Sequence, residues 1–261
     1  TRKESSAASD VYKRQVLSIG RVQTPTLAMI VERQKEIDSF VIEEYWELKT
    51  LYKETEFIAT IDRLKTKEKA EKGLEYLKQF PLEIIAFETK EGKEKPPRLF
   101  DLTSLQVEAN KKLAYSAENT LKYVQSLYEK KMVTYPRVDT TYLSEDLHPK
   151  IEGILQKLTP YATYTASLLE KPIAKSKNIF DNSKVTDHHA IIPTGNFSSD
   201  LTIDEKKIYD MICRRFISVF YPDCLVSNTL VEAKIGDINF RTTGKQILDF
   251  GWRVLYPKLS L

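Results

Sequence analysis

Residues 83–113, EIIAFETKEGKEKPPRLFDLTSLQVEANKKL, change character midway, and that change sets the fold. Residues 83–89 are rich in branched and aromatic side chains, as a strand requires. A charged run follows and closes on Pro96-Pro97. Proline lacks an N–H and clashes inside a helix, so this run is expected to be a linker. Beyond it, Thr103-Ser-Leu-Gln106 has the pattern of a helix capping box, with Leu105, Ala109 and Leu113 spaced along one face. Strand chemistry lies before the prolines and helix chemistry after them.

Upstream, residues 41–61 carry two more strand candidates, around Tyr45–Lys49 and Phe57–Ile61, and Thr66 caps a helix with Ala70, Leu74 and Leu77 on one side. Thr24-Pro25 reads as a cap and first helical residue, with Leu27, Ile30 and Val31 behind it and an end near Ile37. Residues 1–15 are small and polar and are expected to form a flexible leader or cloning remnant. Downstream, Ser116 caps a second helix carrying Leu121, Val124, Leu127 and Tyr128, and residues 145–171 read as one or two further helices. Thr202-x-x-Glu205 is another capping box, and two alternating strands flank Gly236-Asp237. The predicted class is α+β and multidomain. A strand-rich body (41–97 and 193–256) receives an inserted helical, winged-helix-like domain (98–192), after a helical strip over 16–40.

Composition bounds the function. The 261 residues hold 40 Lys and Arg against 37 Asp and Glu, a formal charge of +3, which excludes a histone-like binder. Two cysteines exclude a four-cysteine zinc site and fit a reducing, cytoplasmic setting, and three histidines leave little material for a histidine cage. Neither a membrane-spanning apolar stretch nor a secretory signal is visible.

Three constellations carry chemistry. In Thr134-Tyr135-Pro136-Arg137, proline keeps Tyr135 extended, and Arg137 falls on the same side roughly 6–7 Å along the strand. A guanidinium beside a phenol suits an anionic target such as phosphate; on spacing alone, a half-buried tyrosine with a surface arginine is the commoner meaning of the pattern. Residues 18–25, SIGRVQTP, feed a helix start whose free N–H groups favour phosphate, or are simply a capped helix with a solvated arginine. In Thr186-Asp187-His188-His189, adjacent histidines point apart, so a shared metal is not expected. One could be a proton shuttle, or one is partly buried and the other exposed.

Together, SIGRVQTPTL (18–27), YPRVD (135–139) and TDHHAIIPT (186–194), in this order and spacing, resemble the type IA DNA topoisomerases, closest to the topoisomerase III branch. The resemblance runs from about Val16 to Tyr256. It implies that Tyr135 attacks a single-strand phosphodiester, forming a 5′-phosphotyrosyl bond that permits strand passage without ATP. Arg137 would grip the scissile phosphate and His188 would serve as the active-site histidine, with His189 the competing choice. Ser18, Arg21, Gln23, Thr24, Asp139 and His189 would contact single-stranded DNA. The family usually has Thr or Ser where Val138 stands. Its Mg²⁺-binding acidic cluster has no counterpart before Ser18, so Mg²⁺ ligands are expected in a metal-binding domain of a longer parent chain, and no metal ligand within this sequence. Residues 1–261 alone are then expected to bind single-stranded DNA weakly and relax nothing. Two other readings stay open: a non-enzymatic single-strand binding module using Tyr135 for stacking, and a helix-turn-helix duplex binder built on residues 103–131.

Overall fold

The computed structural model describes residues 7–9, 16–18 and 20–256. The chain forms two compact units. One takes the described residues up to Glu83 together with Ala233–Phe240, and the other takes Ile84–Glu232 and the described residues from Arg241.

In the first unit, β1 (Ala7–Ser9) pairs antiparallel with β2 (Val16–Ser18). The rest of the expected leader lies outside the described residues. Helix α1 spans Gln23–Asp38. Thr24 does not cap it: its own N–H already bonds the Gly20 carbonyl at 3.0 Å, which puts Thr24 inside the first turn and leaves Val22 at the cap position without a side-chain bond. Strands β3 (Lys49–Tyr52) and β4 (Thr55–Ala59) make a hairpin whose two turn residues, Lys53 and Glu54, both have positive φ, as a tight primed turn demands. The strand expected over 45–49 begins only at Lys49, and Trp46 makes an isolated bridge to Leu64. Helix α2 (Lys67–Leu77) is capped by Thr66, whose hydroxyl accepts from Lys69 N–H at 3.4 Å.

Strand β5 (Leu82–Glu94) starts in this unit and continues in the second. It takes in the charged stretch expected to be a linker as far as Glu94 and stops short of Pro96-Pro97. Gly92 lies against Val226 and Asn228, and Glu94 pairs with Lys245 and Arg253, both distant in sequence. Strands β6 (Cys224–Ile235) and β7 (Ile238–Asp249) are joined by the expected Gly236-Asp237 turn, and the five-stranded order is β3-β4-β7-β6-β5.

The second unit is mainly helical. Helix α3 (Leu102–Leu113) is capped by Asp101 rather than Thr103. Ser104 N–H bonds Asp101 Oδ1 at 2.7 Å and the Asp101 N–H returns to Ser104 Oγ at 3.2 Å. Carboxylate and hydroxyl make the same reciprocal cap two residues earlier. Helices α4 (Ala117–Glu129), α5 (His148–Lys157), α6 (Ala162–Leu169) and α7 (Ile203–Ser218) follow. Leu105, Val124, Leu127, Ile151, Leu155, Ile208, Ile212 and Phe216 share one core. Residues 203–218 therefore pack with the helical body, not with the strand-rich part where they were expected, because the apolar face of α7 has α4 to cover it.

Candidate active site

The site grows out of the end of α4. Lys131 takes a left-handed conformation, φ 59°, its N–H bonding the Tyr128 carbonyl at 2.8 Å and Met132 N–H bonding Leu127 O at 2.9 Å. These two bonds, with Leu127 against Met132 in the core, are a Schellman motif, which normally prefers glycine. A lysine holds here because its carbonyl also accepts from Thr194 Oγ1 at 2.6 Å and Asn196 Nδ2 at 3.1 Å.

From this turn the chain leaves extended. Met132 O accepts from Thr194 N–H at 2.9 Å, Thr134 N–H donates to Ile192 O at 3.0 Å, and Val133 bridges Pro193 antiparallel. Thr134 adds a side-chain rung: its hydroxyl donates to Ala190 O at 3.1 Å and accepts from Ile192 N–H at 3.0 Å. Further along, Leu102 N–H bonds Val138 O at 3.1 Å. Between these anchors burial alternates with the pleat. Pro136, Val138 and Thr140 are buried, Tyr135 is half-buried, and Arg137 and Asp139 are exposed.

The pairing fixes which histidine meets the tyrosine. The His188 ring lies 4.5 Å from the Tyr135 ring, centre to centre, tilted by 39°. His189 is half-buried, its Nδ1 2.8 Å from Ala190 O. Burial lowers its pKa, against the raising effects of that hydrogen bond and of Asp146, so it stays neutral at pH 7. Arg137 and Asp139 make no hydrogen bond or ion pair to any described residue, which leaves the guanidinium free to take an external anion. Arg21, Gln23 and Thr24, all exposed, lie at the start of α1 in the other unit, and Ser18 ends β2. Thr134 and Tyr128 complete the surroundings of Tyr135 and were not singled out as site residues by sequence. The Tyr128 and Tyr135 rings form a T-shaped pair with centres 5.5 Å apart.

No three His, Cys, Asp or Glu side chains gather at metal-binding distance among the described residues, so these residues do not fit a Mg²⁺ site. Nor is any described helix long and apolar enough to cross a membrane.

The family described as DNA topoisomerase matches residues 3–260. DNA topoisomerase 3 of Bacillus cereus (strain ATCC 14579) is 38% identical over 251 residues, covering 92% of this chain and 34% of its own. The Bacillus subtilis (strain 168) DNA topoisomerase 3 is 35% identical over 254 residues with the same coverage. The chain thus spans about a third of the length of these relatives. The structure of full-length topoisomerase I from Thermotoga maritima shares the fold, with a TM-score of 0.72 at 23% identity, over 94% of this chain and 41% of that one. With a match over nearly its whole length and a common fold, the chain belongs to the type IA DNA topoisomerase family.

Proposed function

We propose that this chain is the tyrosine-bearing part of an enzyme that cleaves and reseals single-stranded DNA. The Tyr135 phenol oxygen bonds the scissile phosphorus and the 3′ oxygen leaves as a hydroxyl, giving a 5′-phosphotyrosyl intermediate. Resealing reverses the step, so the phosphodiester energy is conserved and no ATP is needed. Arg137 binds and neutralises the phosphate, and His188 holds or moves a proton beside the phenol. Asp139, Arg21, Gln23, Thr24, Ser18 and His189 are assigned to contacts along the DNA strand. Mg²⁺ is assigned to ligands outside these residues, in a metal-binding domain of the parent chain. Residues 98–192 act as the domain that carries the nucleophile, and the strand-rich part as the arch of a gate. Two buried free thiols, Cys213 and Cys224, suit a reducing cytoplasm.

The observation that carries this reading is the contact of Tyr135 with His188, beside an arginine with no partner among the described residues. The test traps labelled single-stranded DNA with denaturant after mixing the chain with the metal-binding portion of a DNA topoisomerase 3 relative. A covalent adduct, lost in Tyr135→Phe, is the expected result. Wild type that binds the DNA but never forms an adduct, with Tyr135→Phe binding equally well, refutes it and leaves a stacking module. By itself the chain binds single strands weakly and relaxes no supercoils; robust Mg²⁺-dependent relaxation by the isolated chain contradicts that.

A further inference from the structure

We infer that Tyr128 is a positioning residue for the nucleophile, setting the orientation of the Tyr135 ring before DNA arrives. The inference rests on the role proposed for Tyr135. Two rings bound that side chain: His188 at 4.5 Å and Tyr128 at 5.5 Å, the latter at 79°, the edge-to-face arrangement favoured by aromatic quadrupoles. An extended backbone fixes where the Tyr135 side chain leaves the chain but not how its ring is turned. That choice falls to the neighbours.

Tyr128 can impose it only if its own position is fixed, and the last turn of α4 is unusually well held. Lys130 Nζ lies 3.0 Å from both carboxylate oxygens of Glu205 and 2.6 Å from the Asp200 carbonyl. Ser126 Oγ donates to the same carboxylate, and the Schellman bonds close the turn one residue later. Ser126 and Lys130 flank Tyr128 at two residues on either side. A helix end that would ordinarily fray is clamped to α7, and the Tyr128 ring is carried on it. The Tyr128 hydroxyl makes no hydrogen bond to a described residue, so the ring, not the oxygen, acts on Tyr135. Tyr128 is 39% exposed, so truncation leaves no buried cavity.

The test has two arms, on Tyr128→Phe, Tyr128→Leu and Tyr128→Ala. In the 261-residue chain, labelled tyrosine NMR reports the Tyr135 ring: Phe retains the wild-type shifts and relaxation, while Leu and Ala release the ring. In the covalent trapping assay, Leu and Ala form the adduct about tenfold more slowly, the order expected from losing one aromatic pair, with unchanged affinity for single-stranded DNA, and Phe stays within about twofold. Wild-type ring signals and rates in Tyr128→Ala overturn the inference, as does a loss in Phe equal to that in Ala. Absence of any adduct with wild type refutes the nucleophile itself; equal rates of adduct formation in wild type and Tyr128→Ala refute the positioning role alone.

Discussion

Glu205→Gln tests the clamp on which this geometry depends. The Glu205 carboxylate, 5% exposed, takes hydrogen bonds from Ser126, from the Thr202 backbone N–H at 2.7 Å and from Lys130 at 3.0 Å. Burial alone would raise its pKa. The hydrogen bonds outweigh burial and hold the carboxyl down, from the ordinary 4.5 to about 2. A difference of that size corresponds to at most roughly 3 kcal/mol of stability at pH 7. Lys130 keeps 28% of its side chain in water and retains the Asp200 carbonyl, so it recovers hydration when the charge is removed, and the expected loss is about 2 kcal/mol.

The pH dependence is a sharper check. A carboxyl with a depressed folded pKa stabilises fully above about pH 4.5 and loses that contribution as pH falls toward 2. Glutamine resembles the protonated acid, so the gap between wild type and Glu205→Gln should be full at pH 7 and nearly closed at pH 2. Urea unfolding across this range measures it, and amide exchange at Met132 and Thr134 reports whether loosening reaches the site. A loss below about 0.5 kcal/mol at pH 7, or a gap unchanged at low pH, would show that the clamp is not electrostatic.

Two further outcomes follow from local geometry. Gly251→Ala should cost about 2 kcal/mol or more in thermal unfolding: φ is +47°, and an added Cβ would meet the Pro222 and Asp223 carbonyl oxygens at 2.5 and 2.6 Å. Backbone atoms there cannot give way as a flexible side chain would, so a neutral result contradicts the fold. Thr134→Val removes the hydroxyl joining the tyrosine and histidine segments, leaving the Ala190 carbonyl and Ile192 N–H without it. It should cost about 1–3 kcal/mol and slow adduct formation, while Thr134→Ser stays near wild type in both urea unfolding and trapping.

What could be read from the sequence was what is local. The Thr202–Glu205 capping box, the Ser116 and Thr66 caps and the Gly236-Asp237 turn each need only a few residues to be satisfied, and each is found as expected. The failures have non-local causes. β5 continues to Glu94, whose charge is met by Lys245, 151 positions away. Thr24 lies inside the first turn because its N–H bonds the carbonyl four residues back, which a polar residue before proline does not reveal. At the site, Tyr135, Arg137 and the histidine pair stand out by residue type. Their supports do not: Tyr128 reaches Tyr135 only through a left-handed lysine where the motif's usual glycine signal is missing.

The choice between His188 and His189 shows why register matters more than composition. Neighbouring residues on an extended segment face opposite ways, so sequence can say only that one of them meets Tyr135. The Thr134 rung to Ala190 and Ile192 sets the phase of the facing segment, which puts the His188 ring on Tyr135 and leaves His189 half-buried beside its own chain. The same ribbon turns Arg137 outward. Arg214, Arg215 and Arg253 each hold a carboxylate, whereas Arg137 holds none although Asp139 is two residues away. In water an unpaired guanidinium costs little, and it has no internal salt bridge to break when a phosphate arrives. On the function proposed above, a chain of net charge +3 need not attract DNA over its whole surface if Arg137, two residues from Tyr135 and unpaired among the described residues, binds the phosphate.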